Sequence, residues 1–231
     1  MIRFTCLEKL GLRCAAMSSR EDGDCSWNNP SNRMQFCNNA GIPGETLVAA
    51  LQVHGNTVLQ VDDSHRGGGG ISPDNAPGKA DALITNIVGL PLCISIADCV
   101  PVLLFSSEHG VAGVVHAGRE GTFLNIGGAA IGAMQRCYDL EPESLYAVIG
   151  PSAGPCCYEV DSELIAAFES KGLTTIGNHL DLWESNRMQL IRAGIPECQI
   201  LVTAECTICS NTYFSFRRDN TKERNIAVVM L

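Results

Sequence analysis

"DALITNIVGLPLCISIADCVPVLLFSSEHGVAGVVHAG", residues 81–118, contains four apolar runs separated by Gly, Pro and Asn. Short apolar runs bounded by turn formers and rich in β-branched residues read as strands. "DALITN", "LPLCISIADC", "PVLLFSS" and "GVAGVVHAG" follow one another with no helix-length segment between them. Their near-continuous hydrophobicity predicts a mixed sheet buried on at least one face. Asp98 and Cys99 interrupt it, an acid beside a thiol, with Pro101 two residues on.

Upstream, "LVAALQVHGNTVLQVD" (47–62) reads as two short β segments around a Gly55-Asn56 turn. The intervening "HRGGGGISPDNAPGK" (65–79) is expected to be a mobile surface connection, with a lid over a site as the alternative. A phosphate-binding P-loop is disfavoured, because Ala80 follows Gly78-Lys79 where Ser or Thr is needed. Downstream, residues 122–138 carry Ile126, Ala130, Met134 and Cys137 at helical spacing. "SLYAVIG" (144–150) reads as a strand, and "DSELIAAFES" (161–170) as a helix capped by Asp161. "WESNRMQLIRAG" (183–194) reads as a helix ended by Gly194. "TYFSF" (212–216) and "NIAVVML" (225–231) read as strands. Clustered strands favour α+β, a single domain of mixed sheets flanked by helices, over a doubly wound sheet.

The chain has 231 residues, 45% hydrophobic and 18% charged, an ordinary composition for a protein with a large core. A net charge of −9 leaves no broad basic face, which argues against nucleic acid as a partner. The first residues are too polar for a signal peptide and no apolar stretch is long enough to span a bilayer, so a cytoplasmic protein away from membranes is expected. Twelve cysteines in a chain of this length and type are read as reduced thiols, with Cys6, Cys14, Cys93, Cys137 and Cys198 packing as small hydrophobes.

His54, Cys99 and His116 share one setting, each at or just beyond the end of an apolar β-like run. They are too far apart in sequence for a zinc finger, which uses close ligand pairs. Two imidazoles and a thiolate drawn from separate strand ends would suit zinc with a fourth position open to water or substrate, provided they are not simply packed core residues. Asp98 would orient a ligand or carry a proton.

Six blocks in order resemble the YfiH-type laccase-domain family, whose members are labelled polyphenol oxidase or purine nucleoside phosphorylase. They are "QVHGNTVLQVD", "ADALITNIVGLPLCISIADCVPVLLF", "GVVHAG", "GPSAGPCCYEV", "DLWESNRMQL" and "FSFRRDNTKERNIAVVML". The resemblance implies zinc on His54, Cys99 and His116. It also implies phosphorolysis of adenosine, inosine, guanosine and methylthioadenosine, together with adenosine deamination. Asn32-Arg33 in "NPSNRMQF" matches a functional Asn-Arg of the family, making Arg33 the expected phosphate ligand. The partners implied are a purine nucleoside and phosphate, with the chain a monomer or homodimer.

One block departs from the family pattern. Where the family commonly has His-Ala-Gly-Trp-Arg-Gly, this chain has "HAGREG" (116–121), placing Arg119 at the tryptophan and Glu120 at the arginine. Either Arg119 supplies the displaced charge from a shifted backbone, the reading kept here, or affinity for an anionic substrate is lost. "CTIC" (206–209) is read as packing, with a second zinc or redox site as the alternative, and Cys156-Cys157 as support for the site wall. "FRRDNTKER" is read as a solvated face, with substrate-phosphate or structural pairing behind it. Competing functions are a metal-free cysteine hydrolase, a copper oxidase, a peptidoglycan-precursor editing hydrolase and a non-catalytic zinc-stabilised scaffold. Copper ranks behind zinc because no methionine lies near the three motifs to serve as an axial ligand.

Overall fold

The run of residues 92–106 does not stay in one sheet. Leu92–Ile96 belongs to a five-stranded sheet and Val100–Ser106 to a six-stranded one, so residues 97–99 carry the backbone across. Asp98 makes that turn at φ +83°, a left-handed conformation that Asp tolerates better than most residues.

The computed structural model describes residues 1–231. In chain order the strands are β1 (Ile2–Arg3), β2 (Cys14–Met17), β3 (Val48–Ala49), β4 (Val58–Gln60), β5 (Ala82–Thr85), β6 (Leu92–Ile96), β7 (Val100–Ser106), β8 (Val111–Ala117), β9 (Tyr146–Ile149), β10 (Thr175–Ile176), β11 (His179–Leu180), β12 (Ile200–Val202) and β13 (Asn225–Met230). The helices are α1 (Thr5–Glu8), α2 (Pro30–Ala40), α3 (Arg119–Phe123), α4 (Ile126–Tyr138), α5 (Ser162–Ser170), α6 (Leu182–Arg192) and α7 (Phe216–Asp219). One sheet has the order β1-β2-β13-β6-β3 and the other β12-β9-β7-β8-β5-β4, while β10 and β11 form a separate pair. Both larger sheets are mixed: β3–β6, β4–β5 and β9–β12 pair in parallel and the remaining neighbours antiparallel.

The two sheets face each other across one apolar cluster, with Met17, Ile94 and Val229 from the first sheet against Leu103, Phe105 and Val114 from the second. The outer face of the six-stranded sheet, including Val102, Leu104 and Val115, packs on Ile131 and Met134 of α4 and Leu190 of α6. The outer face of the five-stranded sheet, including Cys93 and Val228, packs on Phe36 and Cys37 of α2. The result is a four-layer α–β–β–α domain. Alternate side chains of β7 enter different layers, which is why its sequence is apolar throughout. Each such buried side chain stabilises the fold by roughly 1.5–3 kcal/mol.

Asp161 and Asp181 cap α5 and α6, each carboxylate accepting from the amide three residues on. The helix expected over residues 122–138 is instead two, broken at Leu124-Asn125, with Asn125 capping α4. "TYFSF" is not a strand. Tyr213 and Phe214 are buried, and Ser215 caps α7 by accepting from the Arg218 amide. The glycine-rich connection is a packed strap rather than a loose loop. Gly69 bridges to Val48 at φ +72°, and a Cβ there would lie 1.8 Å from the Ala49 carbonyl oxygen. All twelve cysteines are free, but Cys6, Cys137 and Cys198 are exposed, contrary to the expectation that they pack. No helix is long and apolar enough to cross a membrane.

Candidate metal centre and its cavity

The register of the β7–β8 hairpin builds half of the site. Val100 pairs with Ala117 and Pro101 with His116, so Cys99, just before β7, meets the chain where it leaves β8. Gly118 permits this approach: a Cβ at that position would lie 2.8 Å from Cys99 Sγ. His54 arrives from the β3–β4 connection with φ +60°. The ligand atoms of His54, Cys99 and His116 all lie within 4.8 Å of one another. The two imidazole rings meet edge to face, with centroids 4.9 Å apart.

Asp81, immediately before β5, ties these pieces together from beneath. Its Oδ1 lies 2.9 Å from His116 Nδ1 and accepts from the His54 amide at 3.0 Å. Its Oδ2 accepts from the amides of Gly55 at 2.7 Å and Val53 at 3.2 Å. Its own carbonyl accepts from the His116 amide. With its side chain wholly buried, Asp81 thus fixes the His54 backbone and the His116 ring at once. Burial opposes its charge, but the hydrogen bonds from His116 and Gly55 hold its carboxyl below the usual range.

Burial also opposes a thiolate at Cys99, yet the charge of His116 and hydrogen bonds from both histidines lower the thiol from 9.0 to about 6. For His116, burial opposes the imidazolium while the Cys99 charge and the Asp81 bond raise it from 6.5 to about 9. Each of the two groups thus favours the charged form of the other. A cation that replaces the His116 proton would meet an ionised sulfur and an imidazole whose Nδ1 is already held by Asp81, leaving Nε2 free. Two nitrogens and one thiolate with no fourth protein ligand fit the donor set of catalytic zinc.

The cluster opens on both sides. One lobe of about 380 Å³ is lined by His54, Asp98, Cys99, Arg119, Glu120, Tyr158, Phe216 and Arg217. The other, about 530 Å³, runs past Trp27, Gln52, Ser95, Phe216, Lys222 and Arg224. Phe216, 53% exposed, faces both lobes. Both volumes lie within the range of small-molecule sites.

Asp98 lines the cavity but does not hold a histidine. It accepts from Thr207 Oγ1 at 2.6 Å and from the Arg217 amide at 2.7 Å, so the orienting role expected of it is filled by Asp81. Arg33 is fully buried and donates to the carbonyls of Cys25 and Gly70 and to Ser95 Oγ. It also lies 5.5 Å beneath the Trp27 ring. Its guanidinium lines neither lobe, whereas Ser95 and Trp27, which it touches, line the larger one. Arg119 and Glu120 are both exposed and both face the smaller lobe. Sequence reasoning missed Asp81, Tyr158, Trp27 and the placement of Arg217, Lys222 and Arg224, which it read as a solvated face.

A thiolate and two imidazoles, oriented by a buried carboxylate and open to a cation-rimmed cavity, define a candidate metalloenzyme centre. The chain belongs to the multi-copper polyphenol oxidoreductase laccase family, whose model matches residues 17–231. Its relatives include a protein named purine nucleoside phosphorylase YlmD from Geobacillus stearothermophilus, 34% identical over 90% of this chain and 80% of that one. Another, named adenosine deaminase RL5, comes from an unknown prokaryotic organism and is 31% identical over 80% of this chain and 75% of that one. The crystal structure of the Geobacillus YlmD matches with a TM-score of 0.86 at 31% identity, covering 94% of this chain and 91% of that one. A Bacillus licheniformis hypothetical protein, YfiH, matches at 0.81 with 34% identity, covering 87% and 80%.

Proposed function

We propose that residues 1–231 form a zinc-dependent purine nucleoside phosphorylase that also deaminates adenosine, acting in the cytoplasm on nucleoside and phosphate. The observation that carries this reading is the His54, Cys99 and His116 cluster, gripped by Asp81 and flanked by Arg119 and Arg217. When bound there, zinc supplies a Lewis acid and lowers the pKa of water to about 7. Arg119 and Arg217 rim the smaller lobe and offer paired donors to phosphate oxygens. Phe216 and Trp27 provide aromatic faces against which a purine stacks, and Gln52 and Ser95 polar edges to orient it. In phosphorolysis a hydrogen phosphate oxygen bonds to the anomeric carbon as the carbon–nitrogen bond breaks, and the proton that phosphate gives up ends on the departing purine nitrogen. Asp81 keeps the His116 ring in one tautomer throughout.

The test is to incubate purified protein with adenosine, with and without phosphate. Adenine and ribose-1-phosphate should appear only with phosphate, inosine should report deamination, and Cys99→Ala or His116→Ala should abolish both reactions. Normal turnover in both variants would overturn the reading. Cys99 within reach of His116, whose charge lowers its thiol, favours a second reading, a metal-free cysteine hydrolase. Stoichiometric zinc in protein purified without added metal counts against it, whereas alkylation of Cys99 by iodoacetamide in active, metal-free protein supports it.

A further inference from the structure

A second thiol cluster lies outside the centre described above. The Sγ atoms of Cys156, Cys157, Cys206 and Cys209 all lie within 4.8 Å of one another. Cys209 Sγ is 3.0 Å from Cys157 Sγ and 3.4 Å from Cys156 Sγ. Four sulfurs bound tetrahedrally at about 2.3 Å from one zinc stand ~3.8 Å apart, a separation within the observed spread. We propose that these four cysteines bind a single structural zinc ion, separate from the His54, Cys99 and His116 centre and independent of any nucleoside chemistry.

Two tight turns hold the ligands before any ion arrives. The amides of Cys157 and Tyr158 both donate to the Gly154 carbonyl, and the Ser210 amide donates to that of Cys206. The turns are stitched together because Ser152 exchanges backbone bonds with Glu205 and Thr207 on either side of Cys206. Cys206 Sγ accepts from the Gly154 amide at 3.3 Å. That donor favours a thiolate at Cys206, which is the form a metal binds. Arg218 grips the same turn through the carbonyls of Thr207 and Ser210 and places a cation beside a site that four thiolates would make anionic. All-sulfur tetrahedral sites select zinc or iron, and sulfurs this close leave room for one ion and no bridging sulfide.

The position gives the ion a task. Cys157 precedes Tyr158, which lines the smaller lobe, and Cys206 precedes Thr207, which bonds Asp98 next to Cys99. Zinc here would clip two surface turns into the wall of the cavity, closing the set of four ligands with no position left for water.

The test is zinc content per chain in wild type, Cys99→Ala and Cys206→Ser/Cys209→Ser proteins, purified under reducing conditions. Wild type should hold one equivalent more than either variant, and Cys99→Ala should retain one. Cobalt loaded into Cys99→Ala should show intense thiolate-to-metal charge transfer, which the double variant lacks. Wild type alone also decides the matter if the variants fail to fold. Alkylation followed by peptide mapping should label exposed Cys6, Cys137 and Cys198 at once, and the four clustered cysteines only after chelation. Equal zinc in wild type and double variant, prompt labelling of all four, or a Cys157 to Cys209 disulfide in the purified protein would overturn the proposal.

Discussion

Asp81 shows what a single buried carboxylate does here. It accepts three consecutive amides around His54 and the ring of His116, so it shapes two proposed ligands that come from different parts of the chain. Asp81→Asn presents an amide nitrogen where one of these donors now binds. Loss of such an orienting partner costs about 10- to 100-fold in metal affinity or activity, which competition with a chromophoric chelator measures. The pH dependence follows from its depressed carboxyl. The stability it adds is fully present above ~3.9, the value in an unfolded chain, and is lost as pH falls through the lower folded value. Acid titration of metal-free protein should therefore show a shallower loss of stability in the variant than in wild type. His54, Cys99 and His116 were legible because each stands at the end of an apolar run. Asp81 was not, because an acid before a strand looks like any turn residue until the β5–β8 register brings it under His116.

At the scale of elements, Glu120 in the short helix α3 faces the lobe that also holds Arg119 and Arg217. A carboxylate near a phosphate site opposes the incoming anion, and in a solvated lobe such a charge is worth ~3- to 5-fold in binding. Glu120→Gln should lower the KM for phosphate by about that factor while leaving the KM for nucleoside unchanged. Varying each substrate separately checks this, and an unchanged phosphate KM would place the anion elsewhere, beside Lys222 and Arg224. The element boundaries that sequence reading missed have physical causes. "TYFSF" is rich in aromatic residues that favour strands, but Ser215 finds a helix amide to cap and Phe216 turns to the cavity. The strap at 65–79 looked mobile from its glycines, which instead let the backbone press against Ala49 and offer carbonyls to Arg33 and Trp27.

At the scale of the molecule, strand content and the α+β class were readable from hydrophobic runs, whereas the partition into two sheets was not. Nothing in "LPLCISIADCVPVLLF" except Asp98-Cys99 marks where the chain leaves one sheet for the other. That crossing explains why metal and stability should be linked. The three proposed ligands come from the β3–β4 connection, the crossing between the sheets and the end of β8, so an ion there ties both sheets together at one end. Binding to the folded state alone adds about 2.7 kcal/mol when free zinc is 100 times its dissociation constant. For a chain of this size that raises the melting midpoint by ~5–10 °C. Melting in zinc-buffered solutions should show this increment as the difference in zinc response between wild type and Cys99→Ala. Because that variant keeps Cys156, Cys157, Cys206 and Cys209, any rise it still shows belongs to the second cluster. A wild-type midpoint indifferent to zinc across the buffered range would mean that the ends of the two sheets hold together without an ion.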